Sequence, residues 1–493
     1  MLNHIIDEYL AAHGENRCCW FAGHWLTRSN LLALADDATS SLKNCGFTPG
    51  QRIASLLPNS PVMLALMTAT WRLGGIFCPL NDKAGAASLT KTLSLLQPFT
   101  VIVPDNLNSE LEGVIMQDWP CVKTSLTGLT DEVTGRPQTA DDPETAVIFS
   151  TSGTTGDPKA VPLTHANLLA DIDACLAHVK DLQPGDSLLN VLPNFHAFGF
   201  TVCCVLPFRL DATQVLMTSF MPPSKVIAVI EETKPTVLLL VPTMVGFAAS
   251  MLERMDKKLT GIKLLIAGGD RYNPKIDPRV TERFGTELIE GYGITECSPV
   301  LAVNPKPSVR KLGTVGPALP GFELELRTEA GEVTAIPGEG VLWVRGPAVS
   351  KGYYHAPEVS AERFIDGWFN TGDYVQIDED GYIKILDRVT DIIIVGGFNV
   401  YPQEVEAILS EHDGVSLAVV VGMPNAISGE VPKAYVIRSA GSDVTEGELV
   451  KYCKDRLSHY KVPRSIEFVE SLPISATGKI LRRVLRQKER DNH

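Results

Sequence analysis

Positive charge is the first thing this chain is short of. Its 44 Lys and Arg are outnumbered by 58 Asp and Glu, a formal net charge of -14. That balance argues against nucleic acid as a partner, because phosphate backbones are bound by basic surfaces. Patterned cysteine is missing too. The ten cysteines are scattered without a repeated spacing, and the adjacent pairs Cys18-Cys19 and Cys203-Cys204 are not Cys-x-x-Cys metal or redox pairs. A reduced, cytoplasmic compartment is expected. No long apolar run is unbroken. Ser60 to Leu80 comes nearest to a membrane span, but Arg72 interrupts it and Gly74-Gly75 follow before Ile76-Phe77-Cys78-Pro79. A buried helix and then a buried strand are expected there, with membrane contact at most peripheral. Met1 to Glu8 shows no basic region leading into an apolar core, so no signal peptide is expected. Internal repeats and low-complexity tracts are absent as well.

What the chain does have is length and apolar content. At 493 residues and 44% hydrophobic it exceeds one ordinary domain and can bury a large core. Short apolar runs at Arg52 to Leu57, Val101 to Val103, Ala146 to Phe149, Val237 to Val241 and Leu264 to Ala267 alternate with helical patterns. That alternation marks an α/β protein with parallel strands. From about Gly313 the texture changes to short strands with Gly and Pro turns, at Phe322 to Arg327, Gly340 to Arg345 and Tyr382 to Leu386. A small all-β subdomain is expected. After Asp387-Arg388 helices and strands mix again, which places a domain boundary there: 1–387 and 388–493. This last part carries basic and acidic side chains in equal number, so the negative excess lies before it. Its final stretch holds Lys479, Arg482, Arg483, Arg486, Lys488 and Arg490, which reads either as a solvated helix face or as an anion-binding surface.

Four segments carry chemistry. Ser150 to Lys159 reads Ser-Thr-Ser-Gly-Thr-Thr-Gly-Asp-Pro-Lys after an apolar run. Gly153 and Gly156 allow tight turns that aim N–H groups into a concavity, Thr151, Ser152, Thr154 and Thr155 add donors, and Lys159 adds charge. A polyphosphate needs such a set, although a solvated linker has the same composition, and the common Gly-x-x-x-x-Gly-Lys-Ser/Thr loop does not fit. Gly291 to Glu296 follows a strand at Glu287 to Glu290 and supplies Tyr292 to stack on a purine, Thr295 to bond a phosphate oxygen and Glu296 to hold Mg²⁺. Asp373 follows Thr371-Gly372 and suits a ribose diol, or is an ordinary turn aspartate. Lys479 follows Gly478 in a segment near the C-terminus.

Together with Pro193-Asn194-Phe195-His196, Val241-Pro242-Thr243, Gly268-Gly269, Asp387-Arg388 and Gly397 to Pro402, these segments in this order resemble the adenylate-forming superfamily. Its members include acyl-CoA synthetases, firefly luciferase and peptide-synthetase adenylation domains. The resemblance covers nearly the whole chain. It implies an α/β fold, with a large N-terminal domain of two α/β sheets plus a small β-barrel, and a small mobile α+β C-terminal domain. It also implies a two-step ligase using ATP and Mg²⁺: a carboxylate forms an acyl-adenylate, then a thiol takes the acyl group. By motif match Tyr292 stacks on adenine, with Gly269 in the nucleotide-binding set. Asp373 and Arg388 hold the ribose, Thr295 contacts the α-phosphate and Glu296 binds Mg²⁺. Thr151 to Gly156 and Lys159 cover the β- and γ-phosphates, and Lys479 bridges the carboxylate and the α-phosphate. His196 stands where amino-acid-activating members carry an Asp for the substrate ammonium, so a carboxylic acid without an α-amine is implied, with His196 gating the acyl and thiol tunnels.

The phrases around His196, Glu296 and Gly269 look most like bacterial fatty-acid ligases, with coenzyme A as acceptor and the phosphopantetheine of an acyl carrier protein as the alternative. A non-catalytic binding homologue and a luciferase-like oxidative second step are the other readings. Ala197 to Phe208, nearly all apolar, is either an acyl channel or core. Two residues depart from the family pattern: Ala160, where Gly is usual, and Thr390, where many members carry Lys or Asp at the hinge.

Overall fold

Strand alternation in the first part of the chain produces two mainly parallel sheets. The computed structural model describes residues 1–128, 133–152, 158–328, 330–425, 427–473 and 480–491. They form two units: Met1–Glu323 with Val344–Phe369, and Leu324–Trp343 with Asn370–His493.

In the first unit an eight-stranded sheet runs in the order Val300–Val303, Leu288–Gly293, Leu264–Gly268, Val237–Leu240, Ser187–Asn190, Thr213–Leu216, Arg17–Phe21, His24–Thr27. The six inner strands are all parallel. Parallel strands end on the same edge, so the segments after Asn190, Leu240, Gly268 and Gly293 share one rim, where open α/β sheets bind ligands. A second sheet orders Cys121–Thr124, Thr100–Pro104, Arg52–Ser55, Ile76–Pro79, Thr145–Ser152 and Pro158–Thr164. Only its last pair is antiparallel.

The Ser60 to Leu80 segment is the buried helix and strand that Arg72 and the glycines imply. Ser60 caps helix Pro61–Arg72 by accepting from Met63 N–H, with Pro61 at the first turn where a missing N–H costs nothing. Every residue of it but Arg72 is buried, and Arg72 pairs with Asp7 and Asp36. No helix among the described residues is long and apolar enough to cross a membrane. Trp71, Phe77, Phe149 and Phe200 meet in the core at centroid distances of 5.4 to 6.1 Å. All ten cysteines are free thiols.

Helix His165–His178 is set by a capping box between Thr164 and Asn167, and Asn167 Nδ2 also donates to the carbonyls of Pro347 and Val349. Strands Gly338–Arg345 and Trp368–Ile377 of the small β-sheet each begin in one unit and end in the other.

The second unit is built on a five-stranded sheet, with Gly429–Arg438 between Val415–Asn425 and Ser465–Phe468. Alternation gives it two apolar faces. Ala418 and Val420 pack on helices Pro402–Ser410 and Glu446–Lys454, whereas Val419 and Val421 face Leu472 and Leu485 of the C-terminal segment.

Three side chains of the basic run form ion pairs within the unit. In helix Arg482–Asp491, Arg482 forks onto the buried Glu406 at 2.6 and 3.0 Å. Arg486 donates to Asp391 and to the Thr390 carbonyl, and Lys488 pairs with Glu467. The anion-binding reading of Arg482, Arg486 and Lys488 is corrected accordingly: their charges are matched within the unit.

Candidate active site

Tyr292 lies within strand Leu288–Gly293, opposite Ala302, so the strand expected to end at Glu290 runs three residues further. The strand continues because Gly291 and Gly293 let neighbouring backbone approach. A Cβ on Gly293 would stand 2.2 Å from the Pro299 carbonyl oxygen. Thr295–Cys297 then form a single 3₁₀ turn that reverses the chain into Val300–Val303. Ile294 N–H closes the hairpin on Pro299 O at 2.9 Å. Tyr292, Thr295 and Glu296 are thereby held half-buried at the rim. Beside them Gly269, with φ +86°, ends strand Leu264–Gly268 in the left-handed region that favours glycine. Glu290, one residue inside the rim, accepts from Gly313 N–H, and burial pushes its carboxyl up to about 7.

His196 reaches the same rim from strand Ser187–Asn190. Its loop rests on three buried asparagines that sequence reading missed or left without a role. Asn194 Nδ2 donates to Asn190 Oδ1 and Gly199 O, and Asn59 donates to Asn190 and Leu192 while accepting from Asn194 N–H. Leaving one such buried group unpaired costs about 1–3 kcal/mol, so the network fixes the loop. Asn59 is 135 residues from Asn194, and no local pattern announces it.

The apolar run after His196 is core. Gly199–Val205 is a π-helical stretch, fully buried, with Cys204 Sγ 3.9 Å from Met67 Sδ. Cys204→Trp should therefore overpack the core, lowering stability by ~1–3 kcal/mol or more. Its chain-length preference should not move. A normal melting curve with a shifted acyl-length profile would return Cys204 to a channel.

Ser150 to Lys159 is less loop than its composition implies. Thr151 and Ser152 close strand Thr145–Ser152, and Lys159 stands opposite Thr151 in the antiparallel partner Pro158–Thr164. Ala160, the departure after Lys159, is buried in that strand. Gly153, Thr154, Thr155 and Gly156 lie outside the described residues, as does Lys479. The ends of the segment carrying Lys479 are joined by Leu481 N–H donating to Pro473 O at 2.8 Å.

A segment that sequence reading passed over ties this cluster together. Tyr353 Oη donates to Glu296 Oε1 at 2.7 Å, Ser350 N–H donates to Glu296 O, and Ser350 Oγ donates to Pro162 O. Lys159 Nζ sits 5.3 Å from the Tyr353 ring centroid.

In the second unit Asp373 and Arg388 face each other directly in strands Trp368–Ile377 and Ile383–Arg388, with Arg388 Nε 3.1 Å from Asp373 Oδ1. Asp373 is a strand residue and not a turn aspartate. Thr371 Oγ1 accepts from its N–H and donates to Leu342 O. A carboxylate this buried, 2% exposed, beside an exposed guanidinium can accept from two vicinal hydroxyls.

The chain as a whole has counterparts in known proteins. Residues 6–354 match the AMP-binding enzyme family, and residues 404–479 match the AMP-binding enzyme C-terminal domain. The chain belongs to the AMP-binding enzyme family. A long-chain-fatty-acid–CoA ligase of Bacillus subtilis (strain 168) is 31% identical to this AMP-binding enzyme over 533 aligned residues, 100% of this chain and 95% of that protein. A feruloyl-CoA synthase of Amycolatopsis sp is 34% identical over 470 residues, 94% of each. The ATP-bound crystal structure of MatB from Rhodopseudomonas palustris aligns with a TM-score of 0.89 at 28% identity, covering 100% of both chains. This AMP-binding enzyme is thus an adenylate-forming acyl-CoA ligase.

No group of three or more metal-ligating side chains occurs among the described residues. A hard cation carried by nucleotide phosphates needs only one or two protein carboxylates. Glu296 fits. Its Oε1 is taken by a neutral phenol, and its Oε2 has no hydrogen-bond partner among the described residues.

Proposed function

We propose that this enzyme activates a fatty acid and passes it to coenzyme A. The observation that carries the reading is the rim loop at His196. It offers Phe195, His196 and Phe198, with no carboxylate to meet an ammonium, on a rigid asparagine scaffold. The Bacillus subtilis relative supports the acid class.

In the first step a substrate carboxylate oxygen attacks the α-phosphorus of ATP. The bond to the bridging oxygen breaks and pyrophosphate leaves. Tyr292 and Gly269 seat the adenine, Asp373 and Arg388 the ribose, and Thr295 the α-phosphate. Thr151 to Gly156 and Lys159 hold the outer phosphates. Glu296 would hold Mg²⁺, which neutralises phosphate charge when bound. Lys479 stabilises the charge that grows between carboxylate and phosphate. In the second step the thiol sulfur attacks the acyl carbon, AMP leaves and the thiol proton passes to solvent, with His196 at the entry. The two steps use two arrangements of residues 388–493, pivoting at Asp387 to Thr390.

Pyrophosphate exchange across straight-chain acids, amino acids and aromatic acids tests the substrate. Aliphatic acids should exchange at least tenfold faster than ferulate or any amino acid. Preference for an aromatic acid would overturn the reading.

The acceptor is tested separately. Of the basic run, Arg483 is exposed and, among the described residues, lacks the ion pairs that engage Arg482, Arg486 and Lys488. Arg483→Glu should leave the Michaelis constant for coenzyme A within about twofold, because one exposed charge is strongly screened. Efficient loading of acyl carrier protein that Arg483→Glu weakens at low salt would favour the carrier.

A further inference from the structure

We propose that Tyr353 is a positioning residue for the nucleotide half-reaction, holding the Glu296 carboxylate through Oε1 so that Oε2 is left to ligate a cation on the nucleotide phosphates. The inference rests on the proposed role of Glu296.

Three observations carry it. The first is the bond itself. Tyr353 Oη donates to Oε1 at 2.7 Å from a side chain only 8% exposed. A phenol ordinarily ionises well above neutral pH, so it keeps its proton and remains a donor. A neutral donor matters here. An Arg or Lys in its place would cancel the carboxylate's charge and compete with the cation, whereas a phenol orients the carboxylate and leaves its charge in place.

The second is the anchoring of the tyrosine. Its N–H donates to Ser360 Oγ at 2.8 Å, and its ring packs edge-on to Phe364 at 5.6 Å. The donor is therefore fixed before any ligand arrives, which lowers the ordering cost of the glutamate.

The third is what else the segment grips. Ser350 holds the backbone of both Glu296 and Pro162, Tyr354 N–H donates to Ala160 O at 2.8 Å, and the Tyr353 ring lies beside the Lys159 ammonium. One five-residue stretch thus sets the spacing between the candidate metal carboxylate and the candidate phosphate lysine.

The test uses Mn²⁺ as the probe, titrated by electron paramagnetic resonance into the full-length enzyme saturated with a non-hydrolysable α,β-methylene ATP analogue. Tyr353→Phe keeps the ring and removes the donor. Mn²⁺ affinity should fall about tenfold, as expected for a hydrogen bond to a charged group. The Mg²⁺ dependence of pyrophosphate exchange should move by the same factor, with the melting temperature close to wild type. In a Glu296→Gln background, adding Tyr353→Phe should change Mn²⁺ affinity by less than twofold. Unchanged Mn²⁺ affinity in folded Tyr353→Phe overturns the proposal, as does an equal loss in the Glu296→Gln background, which would mean a merely structural role. A wild-type enzyme whose Mn²⁺ affinity is indifferent to Glu296→Gln overturns the assignment of Glu296 instead, and the proposal with it.

Discussion

Lys479→Ala should lower acyl-adenylate formation about a hundredfold or more, yet leave much of thioester formation intact when synthetic acyl-adenylate is supplied. The size follows from removing one preorganised charge aimed at charge that develops in the transition state, which costs about 3 kcal/mol or more. The asymmetry follows from the proposed division of labour, in which the second step presents the Gly397 to Pro402 segment in place of Lys479. The described residues that follow are anchored by their own ion pair. Arg482, three residues on, is forked onto Glu406, whose Oε1 also accepts from Val420 N–H. The small unit should therefore keep its stability. Rates for both half-reactions, measured separately by pyrophosphate exchange and by thioester release from acyl-adenylate, check the result. Equal losses would sink the assignment.

The second large effect should come from a single methyl group. Gly293→Ala places a Cβ 2.2 Å from Pro299 O, 2.9 Å from Pro299 C and 3.2 Å from Val300 Cα. All three are backbone atoms, so no side chain can swing aside. Relief requires the hairpin to part where Gly293 faces Val300, and that shift displaces Thr295 and Glu296 at its tip. A misplacement of about 1 Å costs on the order of a hundredfold in rate. Exchange should fall by about that factor, and added ATP should restore it only in part. Near-wild-type exchange would show that the turn does not set the catalytic geometry.

Much of the framework was legible because its signals are local. Helix Pro61–Arg72 and strand Ile76–Pro79 follow from an apolar stretch, one arginine and two glycines read in order. The same holds for strands Val237–Leu240 and Leu264–Gly268, whose apolar runs bound them within one residue. The chemistry-bearing segments were legible as residue types. Their surroundings were not, because contacts between distant segments leave no local mark. Tyr353 is 57 residues from Glu296, and Asn59 lies 131 from Asn190. The basic run at the C-terminus was ambiguous for the same reason: Glu406, Asp391 and Glu467, which neutralise it, are 76, 95 and 21 residues away. The strand through Tyr292 was expected to end at Glu290 since Gly-x-Gly ordinarily breaks a strand, whereas here the glycines let two strands close on each other.

The bond from Arg486 to position 390 is made to the main-chain carbonyl, 2.9 Å away, and not to the threonine side chain. A main-chain carbonyl is the one acceptor that no substitution removes. The C-terminal helix therefore clasps this turn in a way that is indifferent to which side chain occupies it, and a threonine there loosens nothing that a lysine or aspartate would have held. With Asp391 gripped by the same guanidinium, residues 390 and 391 are both tied to the helix.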